Sequence, residues 1–263
     1  MKFAIIGKGF IYPRHVQAIK SINGEIVEAI SLEDGENAWK EMIKNTSADC
    51  IVVLTPNDLH YPMCKLALDC RKKVICEKPI SITTKDCIDL QNYENIFVVL
   101  QLRHHPLAKE LKENIKPENK YEIEMDISVY RDKKYYDSWK GQTARSGGVL
   151  FNLGSHYFDM LLYLFGDVKR ISDVKINDKT GSGILEGDNY ICRFKVSTDE
   201  PQTSQRRVFK INGKDYNFSS QDNLSYEDLH KYVYQDFLEN KGVNPEESLK
   251  AIELIEKIYQ SSI

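Results

Sequence analysis

The sequence predicts an α/β chain of two domains. A parallel sheet flanked by helices is expected over residues 1–118. An α+β domain with an open, mainly antiparallel sheet is expected over residues 119–263. Three observations carry this. Short apolar runs alternate with amphipathic segments through the first third of the chain, the mark of βαβ units. The pattern changes at Lys116–Lys120 (KPENK), after which runs such as Tyr121–Ile127 alternate in polarity as half-buried strands do. Two amphipathic helical patterns close the chain.

Phe3–Ile6 reads as a strand and Pro13–Ile22 as a helix with proline in its first turn. Glu25–Ile30 is a second strand. Cys50–Leu54 (CIVVL) is a buried strand that ends in a turn signal, Thr55-Pro56-Asn57. Tyr61–Arg71 is helical, Lys73–Cys76 a strand, Thr84–Tyr93 a helix and Ile96–Leu100 a strand. Leu32–Asp49 has room for one helix only, so the third strand of a full mononucleotide half-fold is expected to be missing. In the second domain a helix is expected over Asn152–Phe165, with strands at Val168–Ile176, Tyr190–Val196 and Arg206–Ile211. Asn212-Gly213 is a hairpin signal before Asp215–Phe218. The closing helices are Tyr226–Leu238 and Glu246–Tyr259. Arg131-Asp132-Lys133-Lys134 reads as a solvated loop.

The chain has 263 residues, and 36 − 39 gives a net charge of −3. That balance argues against a nucleic-acid partner. Hydrophobic content of 41% and charged content of 29% are those of a globular protein. No apolar run approaches ~20 residues, so no membrane span is expected. The amino terminus has too short an apolar run for a signal peptide. A cytoplasmic location is therefore expected. The six cysteines form no CxxC pair and read as small buried thiols. His104-His105 and His156…Asp159 lack a third ligand at fitting spacing, so no metal is expected.

Gly7-Lys8-Gly9-Phe10-Ile11-Tyr12 stands between a strand and a helix. It is two-thirds of a dinucleotide fingerprint, the first glycine for the turn and the second for close approach of a pyrophosphate. Tyr12 departs from the third position, and an ordinary strand-to-helix turn has the same look. Ser31 stands where an acid usually holds the ribose, with Glu33 and Asp34 just beyond; those acids favour NAD over NADP. Glu77-Lys78-Pro79 follows a strand on the edge where such sheets bind ligands, although a lone lysine there is equally a surface charge.

Thr55-Pro56-Asn57-Asp58-Leu59-His60, Glu77-Lys78-Pro79 and the run Gly147–Asp159 (GGVLFNLGSHYFD) together resemble the Gfo/Idh/MocA oxidoreductase family. Within it the sequence is similar to WlbA-type 3-dehydrogenases of UDP-linked 2-acetamido-2-deoxy-glucuronate. Pro13-Arg14-His15, Leu100–His105, Ser138–Gly141 and Asn152 carry that narrower likeness. The resemblance implies a Rossmann-type cofactor domain and NAD bound by Gly7, Gly9, Phe10, Ile11, Ser31, Thr55, Pro56, Asn57, His60, Glu77 and Lys78. It implies oxidation of the sugar's 3-hydroxyl in nucleotide-sugar and lipopolysaccharide synthesis, with the 3-oxo product passed to an aminotransferase. It also implies a homo-oligomer formed through the second sheet.

Alcohol oxidation removes a hydride and a proton. The proton requires a general base, and an imidazole titrates near neutral pH. His156 is the candidate base, one helical turn from Asn152, which would orient the hydroxyl or the imidazole. Lys78 would hold the alcohol oxygen. Carried across from the family, Lys78 and His156 fill the catalytic pair, and either could take the proton. Arg103, His104, Arg131, Lys140 and Arg145 are candidate cations for a diphosphate and a uronate, with Trp139 and its tyrosine neighbours as stacking surfaces. A second reading is a non-catalytic nucleotide-sugar binder whose cofactor site has degraded, motivated by Tyr12, Ser31 and the short Leu32–Asp49 segment.

Overall fold

The computed structural model describes residues 1–218 and 229–262, which form two compact units. The first comprises Met1–Gln101 and Glu227–Leu249, and the second Leu102–Tyr226 and Lys250–Ile263. In the first unit β1 (Lys2–Ile6), α1 (Tyr12–Ser21), β2 (Glu25–Ile30), α2 (Ala38–Asn45), β3 (Cys50–Val53), α3 (His60–Asp69), β4 (Lys73–Glu77), α4 (Thr84–Leu90) and β5 (Ile96–Val99) follow in turn. The strands form one parallel sheet in the order β2-β1-β3-β4-β5. Only a 3₁₀ turn, Leu32–Asp34, and α2 lie between β2 and β3, so β2 is the edge and the expected third strand is indeed missing. Every residue of β3 is buried, as a parallel strand covered on both faces requires. The strand order reverses beside β1. The carboxyl ends of β1 and β3 therefore flank a switch point, where open α/β sheets bind ligands.

The second unit contains α5 (Pro106–Asn114), β6 (Tyr121–Ser128), α6 (Lys133–Asp137), α7 (Thr143–Ser146), α8 (Ser155–Phe165), β7 (Val168–Ile176), β8 (Thr180–Gly187), β9 (Tyr190–Ser197), β10 (Arg206–Ile211) and β11 (Lys214–Asp215). The sheet order is β11-β10-β6-β9-β8-β7, with β6 and β9 parallel and every other neighbour antiparallel. Ile123, Met125 and Ile127 of β6 point inward while Glu122 and Glu124 are exposed. Phe158 of the nearly all-buried α8 meets Phe194 of β9 edge-on at 5.3 Å. Arg131–Lys134 is not a plain loop. Asp132 caps α6 by accepting from the Tyr135 N–H, and Arg131 is half-buried.

Strand β8 (TGSGILEG) carries no alternating apolar signal, and the sequence reading passes over it. Its glycines explain both facts. A side-chain carbon on Gly181 would lie 2.7 Å from Leu150, and one on Gly183 2.9 Å from Phe194. Large neighbours cross the strand where it lacks side chains.

The last described segment corrects the expected boundary at 118/119. Helix α9 (His230–Leu238) belongs to the first unit, and the 226–228 part of the expected helix lies outside the described residues. Phe237 packs on Phe97 at 5.3 Å and on Phe3 at 6.1 Å, and Tyr234 on Phe3 at 6.0 Å. Burying a phenylalanine such as Phe237 contributes about 1.5–3 kcal/mol, so a returning helix seals the first sheet. The Val98 N–H also donates to the Val243 carbonyl at 2.8 Å. Helix α10 (Pro245–Gln260) starts in the first unit and ends in the second, where the Leu150 N–H donates to the Tyr259 hydroxyl. Among the described residues no helix is long and apolar enough to cross a membrane. The six cysteines are free thiols, all buried except the half-buried Cys70.

Candidate active site

The turn after β1 is shaped by two glycines with different tasks. Gly7 has φ +108°, and a Cβ there would lie 2.5 Å from the Leu54 carbonyl oxygen. Only glycine lets β3 approach so closely. At Gly9 a Cβ would meet nothing within 4 Å, so this side of the loop is open. Helix α1 then begins at Ile11 with no side-chain cap and no acid in its first turn. Its Tyr12 and Arg14 N–H groups donate to the Gly9 and Ile11 carbonyls at 3.1 Å and Pro13 has none, so the attraction for an anion comes from the helix dipole. Ile11 and Tyr12 pack against the core of the unit, so the departure from the fingerprint is absorbed by packing. Phe10 is 83% exposed beside the Arg14 guanidinium.

At the end of β2 the Ser31 N–H donates to Asp34 Oδ2 at 2.6 Å, and the Ser31 hydroxyl donates to the same oxygen at 3.2 Å. These bonds, the Ser31 N–H foremost, hold the Asp34 carboxyl below its ordinary pKa. Lys8 of the glycine turn lies 3.8 Å from that oxygen. A carboxylate therefore does stand at the tip of β2, folded back from three residues downstream.

Thr55, Pro56 and Asn57 leave β3 as a buried turn. His60 is buried, with Nδ1 2.6 Å from the Pro79 carbonyl and Nε2 2.8 Å from the Thr55 carbonyl. Its ring ties the two loops together and offers no nitrogen to a cofactor. Burial lowers its pKa against the pull of both carbonyls. Lys78 is half-buried at the end of β4, and its peptide bond to Pro79 is cis. The Glu77 carboxylate turns inward. Oε1 is 2.9 Å from His15 Nε2 and 3.5 Å from His230 Nε2, and Oε2 accepts from the Lys78 N–H at 3.2 Å. Burial pushes the Glu77 carboxyl up, but the two histidines more than offset it and hold it well below the usual range. Glu77 thus serves the corner's structure beneath Lys78.

In the second unit Asn152 lies in a π-helical turn, Leu150–Gly154, and His156 is buried in the first turn of α8. The Asn152 amide donates to the Tyr135 hydroxyl at 2.6 Å. The Arg131 guanidinium lies over the Tyr135 ring at 5.4 Å. Lys140 lies over the Trp139 ring at 5.8 Å. Burial lowers the pKa of Arg131 and of Lys140, and each has a further cation nearby: Arg207 for Arg131, and Arg131 for Lys140. The structure thus gathers Arg131, Tyr135, Lys140 and Asn152 into one half-buried, positively charged patch. Arg103 stands apart from it. Its fork closes on Asp159, Nε at 3.0 Å and Nη2 at 2.7 Å, beside the Tyr163 ring. That two-pronged pair gives Arg103 a structural task rather than the ligand-binding one expected of it. His104 and Arg145 are half-buried in the turns Gln101–His104 and Thr143–Ser146.

These residues fit NAD. The open face at Gly9, the positive end of the α1 dipole and the Asp34 carboxylate offer what a pyrophosphate and a ribose require. Sequence reasoning overlooked the part played by Asp34, which was in view but assigned no contact. It gave His15 no role beyond the family likeness and missed His230 and Tyr234; His15 and His230 face Glu77, and Tyr234 backs His15, from segments distant in sequence.

Comparison with known proteins agrees. The NAD-binding Rossmann fold of the GFO_IDH_MocA oxidoreductase family matches residues 1–96, and the family's C-terminal alpha/beta domain matches residues 112–175. The WlbA (WbpB) dehydrogenase of Thermus thermophilus, solved with NAD and alpha-ketoglutarate, is 28% identical with a TM-score of 0.85, over 98% of this chain and 94% of that one. The same enzyme with NAD and UDP-GlcNAcA gives 28% and 0.83, over 97% and 93%. The oxidoreductase YdgJ of Escherichia coli is 26% identical over 188 residues, 63% of this chain. Matches to it and to similar curated relatives span about half of those proteins' length. The chain belongs to the Gfo/Idh/MocA oxidoreductase family, and its first unit is an NAD-binding Rossmann domain.

Proposed function

We propose that the protein is an NAD-dependent dehydrogenase that oxidises the 3-hydroxyl of a UDP-linked 2-acetamido-2-deoxy-glucuronate. The observation that carries the reading is the half-buried patch of Arg131, Lys140, Tyr135 and Asn152. Two cations among aromatic rings and an amide suit a sugar that bears both a carboxylate and a diphosphate. The likeness over nearly the whole chain to an enzyme solved with NAD and UDP-GlcNAcA supports the same substrate class.

NAD, when bound, accepts the hydride from the sugar carbon. The chain's residues handle the rest. Lys78 holds the alcohol oxygen and stabilises its developing negative charge. His156 takes the hydroxyl proton, so that the carbon–hydrogen and oxygen–hydrogen bonds break while the carbonyl forms. Asn152 orients the hydroxyl. Two motives for the degraded-binder reading weaken, since Asp34 supplies an acid near Ser31 and Tyr12 is accommodated by core packing, while the missing third strand still stands for it.

The test has two parts. Native mass spectrometry of the purified protein is expected to show retained NAD(H). Added UDP-GlcNAcA with NAD is expected to give rising absorbance at about 340 nm and a product lighter by two hydrogens. Tight binding of UDP-GlcNAcA with no turnover would mark a binder instead. Turnover of a different sugar would move the substrate and keep the reaction.

A further inference from the structure

Glu77 is a carboxylate only 12% exposed, whose partners come from distant parts of the first unit. Tyr234 lies on α9, His15 on α1, and Glu77 with Lys78 at the end of β4. The Tyr234 hydroxyl is 2.8 Å from His15 Nδ1, and His15 Nε2 is 2.9 Å from Glu77 Oε1. Both rings are completely buried. An ionised carboxylate only accepts, so His15 must carry its proton on Nε2. Nδ1 then bears a lone pair, and the tyrosine hydroxyl must donate to it. Every proton in the chain has one consistent place. Burial disfavours a second proton on His15, in keeping with a neutral ring.

The other end of this chain holds a backbone atom. Glu77 Oε2 accepts from the Lys78 N–H at 3.2 Å. The carboxylate is therefore a rigid strut between a core histidine and the main chain of the lysine itself. We propose that Tyr234 and His15 are positioning residues for Lys78: the chain Tyr234 O–H to His15 Nδ1, His15 Nε2–H to Glu77 Oε1 and Lys78 N–H to Glu77 Oε2 fixes the corner from which the lysine projects. The proposal rests on the catalytic role given to Lys78 above.

His230 also faces Glu77, at 3.5 Å, and three ligand-type atoms of His15, Glu77 and His230 lie within 4.8 Å of one another. A divalent ion is the rival occupant. The 2.9 Å separation is a hydrogen-bond length, and the cavity of about 580 Å³ beside His230 is lined by Arg14 and Lys231, which oppose a cation's entry. A shared proton is the better filling.

The test uses the full chain with NAD. Nitrogen NMR of the histidine side chains is expected to show neutral His15 protonated on Nε2. A ring protonated on Nδ1 alone overturns the proposal. His15→Asn loses the donor to Glu77, while His15→Gln places an amide donor near the former Nε2. Solvent exchange of the Lys78 amide is expected to quicken about tenfold or more in His15→Asn and to stay near the parental rate in His15→Gln. Oxidation of UDP-GlcNAcA is expected to lose about 10²-fold in kcat in His15→Asn, with NAD affinity and KM little changed, and to recover in His15→Gln. Tyr234→Phe removes a single oxygen and is expected to mix the His15 tautomers and loosen the Lys78 amide. An unchanged amide in a folded His15→Asn or Tyr234→Phe protein overturns the proposal, as does stoichiometric zinc that is lost in His230→Ala. If the wild-type protein oxidises no UDP-sugar, the reading of the reaction fails, and the tautomer and amide measurements still decide the strut.

Discussion

The Lys78 corner and the Asn152 segment are held in place by different physics. Around Lys78 the fixed points are backbone atoms and buried rings: His60 is wedged between two carbonyls, and Glu77 is gripped by histidine and by an amide. From Arg131 to Asn152 they are long side chains at half burial, cations on aromatic faces and one amide-to-phenol bond. The first construction is stiff, because each buried polar group has few alternative partners. The second can rearrange at modest cost, since exposed cation–π contacts contribute only about 0.5–1 kcal/mol each. On the proposed function, the corner assigned to the cofactor side is built stiff and the surface assigned to the substrate is built from replaceable side chains.

The largest effect is expected where the second unit departs from that pattern. Arg103 and Asp159 form a buried, two-pronged pair, with Asp159 3% and Arg103 14% exposed. Removing one partner leaves the other charge buried alone. Asp159→Ala is therefore expected to cost about 3–5 kcal/mol in a denaturant titration. A loss under about 1 kcal/mol would show that water reaches Arg103 and that this unit has no stiff element at all.

Next in size is Lys78→Met. Turnover is expected to fall about 10²–10³-fold, the usual loss for one donor to a developing oxyanion, while calorimetry shows NAD affinity nearly intact. Oxidation at the parental rate would remove Lys78 from the chemistry and leave its stiff corner without a purpose.

The two regions also differed in legibility. The parallel strands of the first unit and the glycine turn could be read directly, because burial on both faces makes apolar runs and Gly7 admits no substitute. What could not be read depends on contacts distant in sequence. Helix α9 seals the first sheet through Phe237 and Tyr234, although nothing local assigns it to that unit. Strand β8 was hidden because its glycines leave room for Leu150 and Phe194 instead of bearing the strand's own signal. Arg103 looked like a free cation until Asp159, fifty-six residues on, closed its fork. His60 was read as a cofactor contact, yet both nitrogens face carbonyls. Arg131 and Lys140 could be named as candidate cations from residue type once an anionic substrate was implied, and they gather in one patch. Residues that act on the backbone or on one another could not be read that way.

The replaceable region gives the third effect. Lys140→Met and Arg131→Ala are each expected to weaken UDP-GlcNAcA binding about tenfold or more, the loss of a charge-assisted hydrogen bond, with NAD binding unchanged. Equal affinity in both variants would place the uronate and diphosphate elsewhere. The stiff corner gives a pH effect instead. His15 and His60 have lowered pKa values in the folded protein, so the unfolded chain binds their protons more readily. Stability is then full above about pH 6.5, the unfolded histidine value, and declines as pH falls toward the lower folded values. Glu77, held well below its usual range, adds a loss only under about pH 4.3. The urea midpoint is expected to drop between pH 7.5 and 5.5. A flat midpoint would mean that these rings titrate alike in the folded and unfolded chain, and a rising one that they are already protonated when folded.

The smallest effect tests the exposed carboxylate at the tip of β2. Asp34 is an exposed acid, yet Ser31 binds it through two donors and leaves its other oxygen available. That oxygen can accept from a ribose hydroxyl, and its charge opposes a 2′-phosphate. Asp34→Asn keeps the shape and removes the charge. NAD affinity is expected to fall only about fivefold, the scale of one solvent-exposed hydrogen bond. NADP affinity is expected to rise at the same time, because the repulsion disappears. Opposite movement of the two cofactors is the discriminating result, since general damage to the turn would weaken both. If both weaken together, Asp34 only caps the turn through Ser31, and the adenosine end is held by backbone alone, as the rest of the stiff region is.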